Sequence, residues 1–590
     1  MSQAQFKLNE SVQQFLQYND DTWKKLQDFY FGDNPVSEAV AKLNAEDLAK
    51  FYEALATNPM RMMELQMKWW QGQMDIYKNI MLRSMGEDAA PVVADLPGDR
   101  RFSNELWQQN PNFDLLRQSY LLLTKSMQEM IDVVEGIPER VRQRLHFYTR
   151  QMINAMSPSN FLWTNPEVLQ QTKEEAGDNL LRGAKLFHDD LMNSGKYLKI
   201  RMMKEHAFEV GKDLAYTEGK VVFQNDIFEL IQYTPKGKEV YQTPLLVVPP
   251  FINKYYILDL KEKNSFVNWL GEQGHAVFLM SWRNPMKEQA HITFGNLITD
   301  GVMEAVKVIE DLTAEKEVNA IGYCMGGTLL AATQAYYMGK RLKNRIKSAT
   351  YMTTILDFED PGELGVFIND PVISAIEAME EKTGYCDGRQ LAVTFSLLRE
   401  NSLYWNYYID NYLKGKEPAE FDILYWNSDG TNVTPPVHSF ILRNLYLNNE
   451  LVEPGKIKIN GTGLNLSRVK TPNFFISTKE DHIALWDGTF KGSTALGGDS
   501  TLVLGESGHV AGIVNPPAKD KYGYFTNTAV FEDAEQWLEK AKHHKGSWWT
   551  YWQKWVQPYA GEKVPAYAIG NENHPVIDNA PGKYVKVSLT

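Results

Sequence analysis

The sequence predicts an α/β fold, a mostly parallel sheet with helices on both faces, behind an all-helical N-terminal domain. Three features carry this reading. Up to about residue 205 the chain is rich in Gln, Met, Leu, Glu and Lys, with few turn pairs and little strand-like alternation. Beyond residue 215, short apolar runs alternate with helix-like stretches, the pattern of a parallel sheet covered on both sides. Between Asp357 and about Val469 that alternation stops, and the aromatic, irregularly helical stretch there is too long for a plain loop, so it reads as a cap insertion. The expected domains are therefore 1–205, helical, and 206–590, catalytic, with the cap at about 358–440.

Within the first domain, Met63, Met67, Trp70, Met74, Tyr77 and Met81 recur at spacings of three and four, which places them along one helix face. Such a stripe either packs within the protein or between subunits, or meets a lipid-like or polymer surface, since Met adapts to irregular apolar partners. Asp114 to Val134 repeats the helical habit, and Pro166 to Met192 does so again, with Asn165 as N-cap and Pro166 at the first helical position. In the second domain, Lys220 to Gln224 and Phe228 to Tyr233 flank Asn225-Asp226 as a hairpin-like pair. Leu245 to Val248, Ala276 to Met280, Val318 to Ile321, Ser348 to Thr353, Asn473 to Ser477 and Thr501 to Leu504 read as further strands. Helical stretches lie around Phe266 to Gly271 and from Leu297 to Leu312. The cap carries Phe395, Tyr404, Trp405, Tyr407, Tyr408, Tyr425 and Trp426.

Composition narrows the function classes. The net charge of −13, from 61 basic and 74 acidic residues, speaks against a surface built to grip nucleic acid. The two cysteines, Cys324 and Cys386, cannot form a disulfide framework or a cysteine-based structural zinc site. The N-terminal MSQAQFKLNE lacks a charged and then apolar leader, and the longest apolar runs, Pro244 to Phe251 and Ala276 to Trp282, are far short of a membrane span of roughly 20 residues. The expectation is a soluble cytoplasmic protein with no transmembrane segment.

The sharpest motif is Gly322-Tyr323-Cys324-Met325-Gly326-Gly327, which follows one strand and opens a helix at Thr328-Leu329-Leu330. This is the context of a nucleophile elbow, with Cys where Ser is more usual. Glycines two positions either side leave room for a strained turn, and the helix start aims the Met325 N–H and a partial positive charge at the same space. An α/β-hydrolase fold places its acid and then its base after later strands. Asn473 to Ser477 is followed by Thr478-Lys479-Glu480-Asp481-His482, and Thr501 to Leu504 by Gly505-Glu506-Ser507-Gly508-His509. His509 is assigned as base and Asp481 as acid, ahead of Glu480, Asp487 and Asp357. His482 competes for any role that needs an imidazole, His438 reads as structural, and Cys386 as an ordinary thiol. The second oxyanion donor falls in Pro249-Pro250-Phe251-Ile252, where the prolines cannot donate; of Phe251 and Ile252, Ile252 is favoured beside Met325. No metal ligand set and no cofactor are expected.

On these residues the sequence resembles a class I polyhydroxyalkanoate synthase. The shared pieces are Pro249 to Asp259, the box Gly322 to Gly327, Tyr425 to Asn432, Glu480 to Ile483, Ser507 to His509 and Gly546 to Trp549. The resemblance implies catalytic Cys324, Asp481 and His509, a cap over the active site, a homodimer, and work at the surface of cytoplasmic polyester granules, with granule-associated proteins as further partners. It also implies an (R)-3-hydroxyacyl-CoA substrate, short-chain such as 3-hydroxybutyryl-CoA, and a growing polyester as product. Lys254, Arg283 and Arg399 are available for the CoA phosphates, without a basis for ranking them. Two other readings share parts of the pattern. A cysteine hydrolase of the same fold (an acyl-CoA thioesterase or a polyester depolymerase) would use the same triad. A non-catalytic granule-coating protein would explain the Met and Trp stripe, but not an ordered Cys, Asp and His set.

Overall fold

Apolar and β-branched residues set the longer strands of the second unit, β1 Gly219–Gln224, β2 Phe228–Tyr233, β3 Leu245–Val248, β4 Val277–Trp282, β5 Val318–Tyr323, β6 Ile346–Met352, β7 Asn473–Thr478 and β8 Ser500–Gly505, and the short strands β9 Tyr524–Thr526, β10 Lys542–His544 and β11 Asp578–Asn579 complete them. The computed structural model describes residues 35–589 except 58, 88, 97, 195–197, 205, 206, 530 and 532. The N-terminal segment read for a leader lies outside these residues. Among the described residues the strands form one eleven-stranded sheet in the order β10-β9-β8-β7-β6-β5-β3-β4-β2-β1-β11. The run from β4 through β3, β5, β6 and β7 to β8 is parallel, and the strands beyond it on both sides are antiparallel. The antiparallel strands β9, β10 and β11 escape the sequence reading because each has only two or three residues.

The period-two alternation of the strands divides their side chains between two cores. Leu246, Val248, Phe278, Met280, Ala320 and Phe475 join one, with Leu329, Leu330 and Ala332 of the helix Met325–Gly339 packed on them. Leu245, Val247, Leu279, Ile321, Phe474 and Ile476 join the other, which is covered by Phe266 and by Trp548, Trp549 and Trp552. Strands buried on both faces read as near-continuous apolar runs, as in Leu245–Val248 and Val277–Trp282, which are buried at every position; Phe228–Tyr233 is also buried throughout but includes the polar Glu229 and Gln232. Asn225 turns the first hairpin by accepting the N–H groups of Ile227 and Phe228 at 2.8 and 3.0 Å.

The helical unit contains Pro35–Ala56, Pro59–Ser84, Pro111–Asp132, Glu139–Ala155, Pro166–Glu174 and Asp178–Asn193. Asn165 caps the fifth of these, its side chain accepting from the N–H of Glu167 at 3.0 Å and of Val168 at 3.2 Å. The helical stretch from Pro166 to Met192 forms two helices. Ala176 and Gly177 have φ of 49° and 91°, and the left-handed pair stops the first helix before the second begins. On Pro59–Ser84 the stripe faces outward: Met63 is 53% exposed, Trp70 56% and Met74 70%. No helix among the described residues is long and apolar enough to cross a membrane.

The two compact units divide the expected cap. Residues Val393–Glu420 group with the helical unit, whereas the rest of 206–590, including both flanks of that segment, groups with the sheet. Specific contacts hold the segment there. Glu400, buried, accepts from Arg150 at 3.0 Å and from Asn154 at 2.6 Å. Tyr412 donates its hydroxyl to Asp190 at 2.6 Å, and Asp190 also binds Arg201. Gly183 lies so near that a Cβ on it would stand 1.9 Å from the Tyr412 carbonyl oxygen. The aromatics Phe395 to Tyr408 therefore belong to the helical unit, and Tyr425 and Trp426 to the sheet unit. Gly183→Ala should destabilise the full chain by about 1–3 kcal/mol, because the clash is with backbone and no rotamer relieves it; urea unfolding followed by far-UV circular dichroism checks this.

Candidate active site

The carboxyl ends of the parallel strands bring the functional loops to one edge of the sheet. Gly322 of β5 pairs with Val248 of β3, Tyr323 with Met352 of β6, and Thr478 of β7 with Gly505 of β8. The loops after β3, β5, β7 and β8 therefore leave from the same side. Strand β5 ends at Tyr323 and the next helix starts at Met325, leaving Cys324 in the turn with φ 51° and ψ −124°. A non-glycine residue in such a conformation is strained by about 1–3 kcal/mol and persists only when its surroundings hold it. Here the Cys324 N–H donates to the Met352 carbonyl at 2.9 Å, and the Cys324 carbonyl accepts from Gly327 at 2.9 Å and Thr328 at 3.3 Å. The close approach explains the glycines. A Cβ at Gly322 would stand 2.4 Å from Gly327 Cα, and one at Gly326 2.2 Å from the Val248 carbonyl oxygen.

Asp481 and His509 meet Cys324 from the two later loops. The Asp481 carboxylate is fixed at Oδ1 by the N–H groups of Ile483 and Ala484, each at 2.9 Å, and its Oδ2 accepts from His509 Nδ1 at 2.7 Å. The His509 side chain is also hydrogen-bonded to Cys324. Burial pulls the imidazole's pKa down, but the charge and hydrogen bond of Asp481, followed by those of Cys324, outweigh it and push the value up to about 10. The imidazole is thus a strong base held in one orientation, with one nitrogen on the carboxylate and the ring against the sulfur. Asp481 is the carboxylate on His509; Asp357 instead accepts from Asn449 and Glu359, and Asp487 from Gly488. His482 is half-buried in the turn that follows Asp481.

Two tyrosines complete the site that sequence reasoning did not single out. Tyr323 stacks on the His509 ring at 5.7 Å and donates its hydroxyl to the His509 carbonyl at 3.3 Å. Burial, then the charges of Cys324 and Asp481, push its pKa well above the ordinary value. Tyr446, against Phe358, is raised by burial and by the same two charges. Tyr323 was legible in principle, lying inside the elbow motif; Tyr446 carries no local signal.

The candidate oxyanion donors come from the helix start after Cys324 and from the loop after β3. Met325 provides the first N–H of its helix, which has no partner four residues back. Ile252 sits in the loop after β3 and packs on the same core as Met325. That loop is pinned from the Tyr425 to Asn432 motif: the Trp426 indole donates to the Lys254 carbonyl at 2.6 Å, and the Tyr256 hydroxyl to Asp429 at 2.9 Å. Of the three cations available for the CoA phosphates, Lys254 is engaged within the protein. Its ammonium is buried and donates to the carbonyls of Val585 and Val587, so burial lowers its pKa and the C-terminal residues occupy it. Arg283 pairs with Asp226 at 2.8 Å and lies over the Tyr584 ring. Arg399 lies in the segment that groups with the helical unit.

Cys386 has a different setting from Cys324. It is buried, and burial followed by the charge and hydrogen bond of Glu380 raises its thiol pKa well above the ordinary value, so it stays protonated at neutral pH.

Comparison with known proteins agrees with this architecture. Residues 98–270 match the family described as the N-terminus of poly-beta-hydroxybutyrate polymerase (PhaC), and residues 244–516 match the alpha/beta hydrolase fold. The chain is 44% identical over 541 residues to a poly(3-hydroxyalkanoate) polymerase of Methylorubrum extorquens, covering 92% of this chain and 89% of that protein. It is 41% identical over 554 residues to the poly(3-hydroxyalkanoate) polymerase subunit PhaC of Rhizobium meliloti, covering 94% and 89%. The corresponding subunit of Cupriavidus necator is 41% identical over 510 residues, covering 85% of each chain. Identity at this level over nearly the full length of both partners, on a hydrolase-fold sheet that presents a nucleophile elbow, places the chain in the poly(3-hydroxyalkanoate) polymerase family of enzymes.

Proposed function

We propose that this chain polymerises (R)-3-hydroxyacyl-CoA, short-chain units such as 3-hydroxybutyryl-CoA, into polyester with release of CoA, through an acyl thioester on Cys324. Similarity to poly(3-hydroxyalkanoate) polymerases supports polymerisation, and the hydrogen-bonded chain Asp481–His509–Cys324 at a strained elbow supports the thioester route. In the first step His509 takes the thiol proton, the sulfur attacks the substrate thioester carbonyl, and CoA leaves as a thiol after regaining that proton. Met325 and Ile252 are assigned to the oxyanion of the tetrahedral intermediate. One thioester replaces another at nearly constant energy, so the acyl group stays activated and its transfer to a hydroxyl runs downhill. A serine nucleophile would have used up that drop in the first step. In the second step the 3-hydroxyl of the next unit attacks Cys324's thioester; His509 or Asp481 receives its proton and the sulfur departs. CoA enters as part of the substrate, and the reading assigns no resident cofactor.

The working location belongs to the same proposal. The outward stripe of Met63, Met67, Trp70, Met74, Tyr77 and Met81, each more than half exposed, supports contact with a second copy or with the polymer surface of a cytoplasmic granule and its associated proteins.

Four outcomes are expected. With 3-hydroxybutyryl-CoA the purified chain should release thiol and turn turbid as polymer separates; thiol release with free hydroxy acid as the sole product would overturn the polymerase reading. Cys324→Ala should abolish release, while Cys386→Ala keeps most of it. Trp426→Phe, which deletes the donor to the Lys254 carbonyl, should lower kcat roughly 10-fold with little change in KM, since it loosens the oxyanion loop without touching the nucleophile. Because the folded pKa of His509 is raised from 6.5 to about 10, its protonated form stabilises the fold fully below pH 6.5 and progressively less as pH rises through 10. The stability advantage of the chain over His509→Gln, measured by urea unfolding at a series of pH values, should shrink across that window.

A further inference from the structure

A second cluster of reactive side chains lies in the sheet unit, outside the site just described. Glu380 is on the helix Asp370–Thr383, Cys386 in the turn that follows it, and His438 on the helix Pro435–Phe440. All three are buried, Glu380 to 1%, Cys386 to 2% and His438 to 8% exposure. His438 Nδ1 is 2.6 Å from Glu380 Oε1, and the Cys386 thiol hydrogen-bonds the same carboxylate. One ligand atom from each lies within 4.8 Å of the other two, the only such group of three among the described residues. Around them the chain is already fixed, because Cys386 and Val433 exchange backbone hydrogen bonds at 2.8 and 3.0 Å.

We infer that Glu380, Cys386 and His438 form a binding site for a divalent transition metal of the zinc type, which clamps the chain at Cys386 to the helix carrying His438. Softness and charge both point to this ion class. A thiolate with an imidazole disfavours calcium and magnesium, which take oxygen ligands, and suits zinc or cobalt. One thiolate, one carboxylate and one neutral imidazole balance a divalent cation, so the buried site carries no net charge. Tetrahedral ligands at about 2.0–2.3 Å from zinc stand roughly 3.3–3.8 Å apart, which small side-chain rotations reach from the present positions. Binding displaces one proton, from the Cys386 thiol, to solvent. If Nδ1 of His438 is the ligand, its proton moves to Nε2 and none is lost from the ring. Three protein ligands leave the fourth position to a water. The role is structural and separate from the chemistry at Cys324. The three residues have no recognisable metal-binding spacing in sequence, which is why the exclusion of a cysteine-rich zinc site did not touch them.

The test uses the full chain carrying Cys324→Ala, so that the active-site thiol cannot bind metal. Loaded with Co²⁺ and freed of excess on a desalting column, this chain should retain about one ion and show the thiolate-to-cobalt charge-transfer absorption that only Cys386 can then supply. Zn²⁺ should displace the cobalt and raise the melting temperature of the same chain. Cys386→Ser and His438→Gln added to that background should remove the retained ion. Absence of the charge-transfer band in the Cys324→Ala chain overturns the inference, and that reading does not depend on whether the ligand variants fold. Retention of cobalt undiminished by Cys386→Ser overturns it as well.

Discussion

The turn at Cys324 requires backbone to lie against backbone. Gly326 touches the carbonyls of Val248 and Pro249, Gly322 touches Gly327, and Gly327 stands where a Cβ would lie 2.0 Å from the Thr354 hydroxyl. That contact fixes the start of the helix Met325–Gly339 against the end of strand β3, and hence the oxyanion loop against the elbow. Positive φ at the cysteine is tolerated because the Met352 carbonyl and the Gly327 and Thr328 N–H groups leave its backbone no alternative partner. The strain raises the sulfur out of the sheet edge to where the later loops converge.

From that fixed point the site is assembled by parallel pairing. The register that sets Thr478 beside Gly505 makes the acid and base loops leave at one level, and the 2.7 Å contact of Asp481 with His509 follows from it. Tyr323 then braces the imidazole from the strand that carries the nucleophile. The raised His509 pKa is a consequence of this closure. In water the imidazole would lose its proton near neutrality, whereas a buried carboxylate and the adjacent sulfur hold it. The elbow therefore supplies position, and the two loops supply basicity.

The residues around the site are tied by groups distant in sequence. The Tyr425 to Asn432 motif reaches the oxyanion loop through Trp426 and Asp429, and Asn432 accepts the Gly388 N–H next to the Glu380, Cys386 and His438 cluster. The C-terminal residues add a strap: Glu229, on β2, accepts the N–H groups of Lys583 and Tyr584, and Lys254 reaches the carbonyls of Val585 and Val587.

Sequence alone determined the strands of the parallel sheet, the elbow and the order of the acid and base loops, because each rests on local signals: apolar runs, glycines at fixed offsets and loop position after a strand. It also revealed the Met and Trp stripe, through the 3.6-residue period, but not its outward direction, since periodicity identifies a face without saying what meets it. Tertiary structure decided what depends on partners far along the chain. Val393–Glu420 joined the helical unit because Glu400 and Tyr412 find their partners at Arg150, Asn154 and Asp190. Lys254 turned from a candidate phosphate ligand into a buried anchor because the C-terminal carbonyls lie over it. Glu380, Cys386 and His438 became neighbours because two helices and a bridged turn meet there. In each case the deciding contact joins residues whose separation leaves no local pattern, and only packing brings the groups within hydrogen-bonding range.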